Sequence, residues 1–195
     1  SKSQDATPQI SKEAGVEVVQ FDYLGGYPKK RQWALAHLRI ETPWVLLIDA
    51  DEVVPRTLWQ EIHQEISNPN GSVAYTVSKG FHFLGRRLKF GGFSHSAVLL
   101  FRTGSAKFEQ IFDGESDLFD MEVHERIIVD GKIGKLKTPL IHEDFKGLTA
   151  YIDRHNRYSA WEAGVRYNFF KSGQWGKDTI ERRLFGNIQE RRRFV

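Results

Sequence analysis

Residues 42–55 read TPWVLLIDADEVVP, an apolar run from Trp44 to Ile48 that stops at three carboxylates, Asp49, Asp51 and Glu52. A continuous apolar run of this length predicts a strand buried on both faces, as in a parallel sheet. Pro55 then opens a predicted helix through LWQEIHQEI. Upstream, SKSQDATPQISKEAGVEVVQF predicts a short helix capped by Asp5 or Thr7, with Pro8 in its first turn and Gly15 ending it. The β-branched VEVV at 16–19 predicts a strand after it. A glycine-rich turn leads into a second helix near Pro28, with Trp33, Leu35 and Leu38 on its apolar side.

Downstream, VAYTVSK predicts a strand, and FHFLGRRLKFGGFSHSAVLLFRTG predicts hairpin-like excursions around a further strand, AVLLF. Short strands are expected at RIIV and in KLKTPLIH. From Leu148 the period becomes helical, with Leu148, Tyr151, Ile152, His155, Tyr158, Glu162 and Val165 sharing a side. Gly164 weakens the end of that helix, and Gly173 and Gly176 set off a basic segment. Repeated strand and helix signals predict an α/β, doubly wound sheet. The predicted division is a catalytic core over 1–147 and a helical, basic segment over 148–195. The abrupt start on a helix cap leaves an N-terminal strand missing from the expected sheet.

Composition narrows the classes. The 195 residues are 40% hydrophobic and 27% charged, which suits a globular core rather than a disordered chain. No apolar run approaches the roughly 20 residues that span a bilayer. With no cysteine, disulfides, thiolate zinc sites, iron–sulfur clusters and a cysteine nucleophile are excluded within these residues. The formal charge is +3, and its excess lies in the last twenty residues, which hold six basic and three acidic side chains. No nucleic-acid footprint is spread through the chain, so no nucleic-acid partner is expected. The basic end reads either as a solvated helix with an arginine cluster or as a contact for anions such as lipid headgroups. The expected location is cytoplasmic, with a peripheral contact on the inner face of the cell membrane.

Extended backbone would place Asp49 and Asp51 on one side, at the carboxyl end of a strand, where open α/β sheets bind ligands. Carboxylates there suit Mg²⁺ or Mn²⁺, which neutralises a diphosphate leaving group. The plainer alternative is a surface acidic turn capping the next helix. After GGYP come Lys29, Lys30 and Arg31. Three consecutive side chains cannot all face one phosphate, so Lys30 and Arg31 are the donor-side candidates, against a solvated face. In MEVHERIIVDG, Glu125 is the candidate base for an acceptor hydroxyl, and His124 positions the acceptor or replaces the base. An ordinary salt-bridge turn is the competing account of Glu122, His124 and Glu125. His142 in LIHED is a candidate metal ligand or diphosphate contact. His82, Arg86, Arg87 and His95 are acceptor-side candidates. Tyr158 and Trp161 could stack on a sugar, although their helical spacing favours core packing.

Taken in order, these blocks resemble family 2 glycosyltransferases, in particular bacterial lipopolysaccharide core β-1,4-glucosyltransferases. SKSQDAT at 1–7, GGYPKKRQWAL at 25–35, WVLLIDADE at 44–52, VHE at 123–125, LIH at 140–142 and NRYSAWEA at 156–163 carry the resemblance. It implies a GT-A-like, single Rossmann-type nucleotide-sugar-binding domain with a mostly parallel central sheet. It also implies that Asp49 contacts the nucleotide ribose, Asp51 binds Mg²⁺ or Mn²⁺ on the diphosphate, Lys30 lies in the donor region and Glu125 deprotonates the acceptor. The implied reaction is inverting transfer of a hexose from a UDP-sugar to a hydroxyl of a cell-envelope saccharide or lipid-linked glycan. Gln32 departs from the asparagine often found in relatives. Two other readings stay open: a metal-dependent nucleotidyl transferase or pyrophosphatase, and a non-catalytic module binding nucleotide sugar or carbohydrate.

Overall fold

A computed structural model describes residues 5–24, 27–90, 95–111, 126–144, 146–186 and 189–191. The chain divides into two compact units, Ser1–Leu38 with Glu115–His124, and Arg39–Gly114 with Glu125–Val195. The first carries helices α1 (Thr7–Glu13) and α2 (Lys30–His37). The N-cap of α1 is Ala6, which has no side-chain cap, rather than the expected Asp5 or Thr7; Asp5, one residue earlier, accepts the Thr7 N–H on Oδ1 at 3.0 Å, and Pro8 stands in the first turn, where its missing N–H costs nothing. Gly15 follows with a φ of 74°, the left-handed backbone that ends a helix most easily at glycine. The expected strand at 16–19 is absent, since residues 16–24 run without regular structure. α2 begins at Lys30 rather than Pro28, and the Lys29 N–H is held by Gln32 Oε1 at 2.9 Å.

In the second unit the chain runs through β1 (Trp44–Leu46), β2 (Glu52–Val53), α3 (Arg56–Ile66), β3 (Ala74–Phe83), β4 (Arg86–Arg87) and β5 (His95–Arg102). Short strands β6 (Ala106–Phe108), β7 (Gln110–Ile111), β8 (Ile127–Val129) and β9 (Ile133–Lys135) follow. The unit closes with β10 (Leu140–Asp144), the long helix α4 (Gly147–Ser172) and β11 (Gly176–Asp178). The main sheet runs β1-β5-β3-β10-β2, with β4 and β9 also paired to β3. Two small sheets pair β6 with β8 and β7 with β11.

The sheet corrects the expectation of a Rossmann-type, mostly parallel core. It is a curled half-barrel, and four of its six strand pairings are antiparallel. Parallel neighbours need crossovers of a dozen residues or more, usually helical. Between Ala74 and Asp144 the described residues contain no helix, and β3 turns directly into β4 through Leu84 and Gly85. Both turn residues have positive φ, 49° and 74°, the two-residue hairpin geometry whose twist matches the flanking strands. β1 is likewise not a doubly buried central strand. Among the described residues it pairs with β5 alone, antiparallel, and its residues are half-buried.

The core forms where α3 lies on this sheet. Leu58 and Ile62, one helical turn apart, are buried against Tyr75, Val77, Leu99, Leu100, Leu136 and Leu140. On β3 the residues Tyr75, Val77, Lys79, Phe81 and Phe83 alternate onto one face. That face is apolar at Tyr75 and Val77, in the core with α3, and then changes at Lys79. Glu61, beside the buried stripe of α3, fastens the helix by accepting the N–H groups of Lys137 and Thr138 at 2.7 and 2.9 Å. α4 runs through Gly164 without a break, buries Trp161 and Val165, and ends at Gly173 with a φ of 71°.

Candidate functional site

The acidic turn between β1 and β2 is organised by one lysine. Lys79 Nζ lies 2.9 Å from Asp49 Oδ2 and 2.6 Å from Glu52 Oε1. The Glu52 side chain is wholly shielded from solvent, while Asp49 keeps about a third of its side-chain surface. Glu52 Oε2 also accepts the Asp49 N–H at 2.8 Å, and the Glu52 N–H donates to Asp49 O at 3.0 Å. Glu52 is therefore the inner clamp of the turn. Lys79 holds one Asp49 oxygen, and the Asp51 side chain is half-exposed on the other limb.

Strand register brings His142 to that limb. It sits opposite Glu52 across the antiparallel β10–β2 pair and beside Phe81 across the parallel β10–β3 pair. Its Nε2 lies 3.4 Å from Asp51 Oδ2, and its ring meets Phe81 edge-on at 5.3 Å. The Glu143 N–H reaches Asp51 O at 3.3 Å, fixing the turn to β10.

Alternation places Asp144 on the same face as His142. Burial by itself would raise the Asp144 pKa. The Lys146 N–H and the guanidinium of Arg154 outweigh burial and hold the carboxyl below its ordinary range. Arg154 arrives from α4, which also sets the Tyr151 ring at a tilt to Phe83 at 5.1 Å and stacks His155 on Tyr151 at 3.8 Å. Tyr158, a turn further along, has its hydroxyl pKa raised. Burial is the main cause; Arg154 and Arg157 oppose it, and the charges of Asp51 and Asp144 reinforce it.

The structure thus gathers Asp49, Asp51 and His142 at one end of the sheet and adds Lys79, Asp144 and Arg154. His95 pairs with Lys79 in the β3–β5 register, so its side chain leaves on the same face. The two acceptor-side arginines separate. Arg86 pairs with Phe83 and shares the face of Lys79, whereas Arg87 pairs with His82 and lies over Gly80 on the other face. Trp161 is buried in the core, as its spacing favoured. Lys30 and Arg31 lie in the first unit, on the first turn of α2. Glu122, His124 and Glu125 lie outside the described residues.

Lys79 was missed in the sequence although it left a signal. In VAYTVSKGF it is a charge at an inward position of the alternation Tyr75, Val77, Lys79, Phe81, and an inward lysine needs an acidic partner.

The donor set can be tested for a divalent cation. An oxygen and a nitrogen at neighbouring octahedral positions around such an ion stand about 3 Å apart. The 3.4 Å between Asp51 and His142 is close to this. No group of three or more acidic or histidine ligands gathers among the described residues. Two protein ligands, with phosphate oxygens and water filling the rest, is how Mg²⁺ is commonly held, and an imidazole nitrogen also suits Mn²⁺. Asp49 is a poorer ligand, because Lys79 occupies one of its oxygens.

No family model matches the chain. A 75-residue stretch, 38% of the chain, is 32% identical to a TPR repeat-containing protein of Synechococcus elongatus. The match spans 18% of that protein's length and assigns no family to this chain.

Proposed function

We propose that the chain is catalytic machinery of an inverting glycosyltransferase, moving a hexose from a UDP-sugar to a hydroxyl of a cell-envelope saccharide or lipid-linked glycan. The observation that carries this reading is the Asp51–His142 pair beside an acidic turn whose other two carboxylates share Lys79. A diphosphate brings its own negative charge and is repelled by three unpaired carboxylates. Here Lys79, shared by Asp49 and Glu52, offsets part of that charge, and Asp51 and His142 are left as donors.

In this reading Asp51 and His142 would hold Mg²⁺ or Mn²⁺, which would supply positive charge to the leaving diphosphate. Asp49, fixed by Lys79 through Oδ2, offers Oδ1 to a ribose hydroxyl. The acceptor oxygen attacks the anomeric carbon as the bond from that carbon to the phosphate oxygen breaks. UDP leaves with the bonding electrons, and the acceptor proton passes to a carboxylate, the role proposed for Glu125. Lys30 and Arg31 are proposed donor contacts, and Arg86 and His95 acceptor-side contacts. Arg87 is a weaker acceptor-side candidate, because it leaves the sheet on the other face. Among the described residues no helix is long and apolar enough to cross a membrane. Cytoplasmic placement, with contact between the basic end and the inner membrane face, belongs to the same proposal.

The test is product analysis. The chain is incubated with Mn²⁺, a glycan acceptor pool and UDP-glucose, UDP-galactose or UDP-N-acetylglucosamine. Release of UDP with transfer of the intact sugar supports the proposal. UMP with a sugar phosphate would instead make the protein a nucleotidyl-type or pyrophosphate-cleaving enzyme, and binding with no product would make it a carbohydrate-recognition module.

A further inference from the structure

The turn between β8 and β9 borders a cleft of about 430 Å³, lined in part by Lys132, Lys135 and Arg191. Among the described residues no aspartate or glutamate lines it. All three cations are exposed, and none makes an ion pair among the described residues. Three like charges around one depression repel one another, and an anion between them relieves that repulsion.

The backbone adds donors. β9 pairs with β3 on one side, where Lys132 O accepts from Val73 N–H and the Leu136 N–H donates to Thr76 O. Backbone groups alternate along a strand, so Ile133 and Lys135 turn their N–H groups to the opposite edge, along which no strand pairs among the described residues. Gly134 keeps this strand close to the core. A Cβ there would stand 2.6 Å from Tyr75 Cδ1, so only a bare backbone fits. Outward N–H groups beside lysine and arginine side chains are the donor set that recognises phosphate.

We propose that this cleft binds a phosphate group, carried by a soluble ester or by an anionic lipid headgroup. It is independent of the carboxylate site, which needs a metal to accept a phosphate.

The test is made in EDTA, so that a metal-dependent site is silent. Inorganic phosphate is titrated calorimetrically into the protein, and phosphatidylcholine vesicles with and without about 30 mol% phosphatidylglycerol are sedimented with it. Binding of either probe, weakened about tenfold or more in Lys132→Ala/Lys135→Ala, supports the proposal. Phosphate binding points to a soluble ester, and binding confined to the anionic vesicles points to a headgroup. The control Lys12→Ala/Lys89→Ala removes the same charge elsewhere and is expected to bind like the unaltered chain. Circular dichroism of both variants is expected to match it too, since these side chains are exposed. Failure of both probes to bind, or an equal loss in the control variant, would overturn the proposal.

Discussion

Lys79 Nζ stands 2.6 Å from Glu52 Oε1, a charge pair whose acidic partner is wholly shielded from water. Removing the ammonium leaves a buried carboxylate without its counter-charge, a change that costs about 3–5 kcal/mol. Lys79→Met is expected to lose stability on this scale in urea unfolding. The double change Lys79→Met/Glu52→Gln is expected to recover a large part of it, because the stranded charge is gone.

Asp144 gives the fold an acid-sensitive contact. Its folded-state pKa is depressed: burial, which raises it, is outweighed by the Lys146 N–H and Arg154. The unfolded chain therefore binds that proton more readily than the folded one. The resulting stability is complete above the ordinary carboxylate range and fades as pH falls through the depressed folded value. Asp144→Asn is expected to be less stable than the unaltered chain by about 1.5–3 kcal/mol at neutral pH. That gap should narrow progressively in unfolding curves taken at decreasing acid pH, and a gap independent of pH would contradict the assignment.

Much of the site was legible because its parts carry local signals. The apolar run ending in Asp49, Asp51 and Glu52, the helix after Pro55 and the lone histidine in LIHED each lie in a short stretch of sequence. What was not legible is pairing. An apolar run such as WVLLI reads alike whether it is central and parallel or at an edge and antiparallel, and among the described residues β1 is the latter. The alternation through Tyr75, Val77 and Lys79 shows that the lysine points inward but does not say which acids it meets. The separation of Arg86 from Arg87 depends on the turn at Leu84 and Gly85, which sets the register of the hairpin. VEVV has strand propensity, yet propensity gives no strand without a neighbouring ladder to pair with.

Two glycines are predicted to respond in opposite directions. At Gly134 an added methyl would stand 2.6 and 2.7 Å from the Tyr75 ring, so Gly134→Ala should cost about 1–3 kcal/mol through overpacking. At Gly164, inside α4, nothing lies within 4 Å, and Gly164→Ala should stabilise by about 0.5–1 kcal/mol through helix propensity. Thermal melting of the two variants side by side checks both signs.

The Glu61 carboxylate is held below its ordinary pKa because backbone hydrogen bonds at Lys137 and Thr138 overcome the opposing effect of burial. Glu61→Gln keeps the shape and removes the charge. A loss of about 1–2 kcal/mol is expected near neutral pH, shrinking in acid for the same reason as at Asp144.

The central claim is that Asp51 and His142 together hold a divalent cation against a nucleotide diphosphate. The direct measurement is calorimetric titration of UDP into the chain with Mn²⁺ and with EDTA, repeated for Asp51→Asn and His142→Ala. The account predicts Mn²⁺-dependent binding that each variant weakens by about tenfold or more, the scale on which loss of one ligand acts. Binding of UDP that is indifferent to Mn²⁺ and unchanged in both variants, or no binding under any of these conditions, would contradict it.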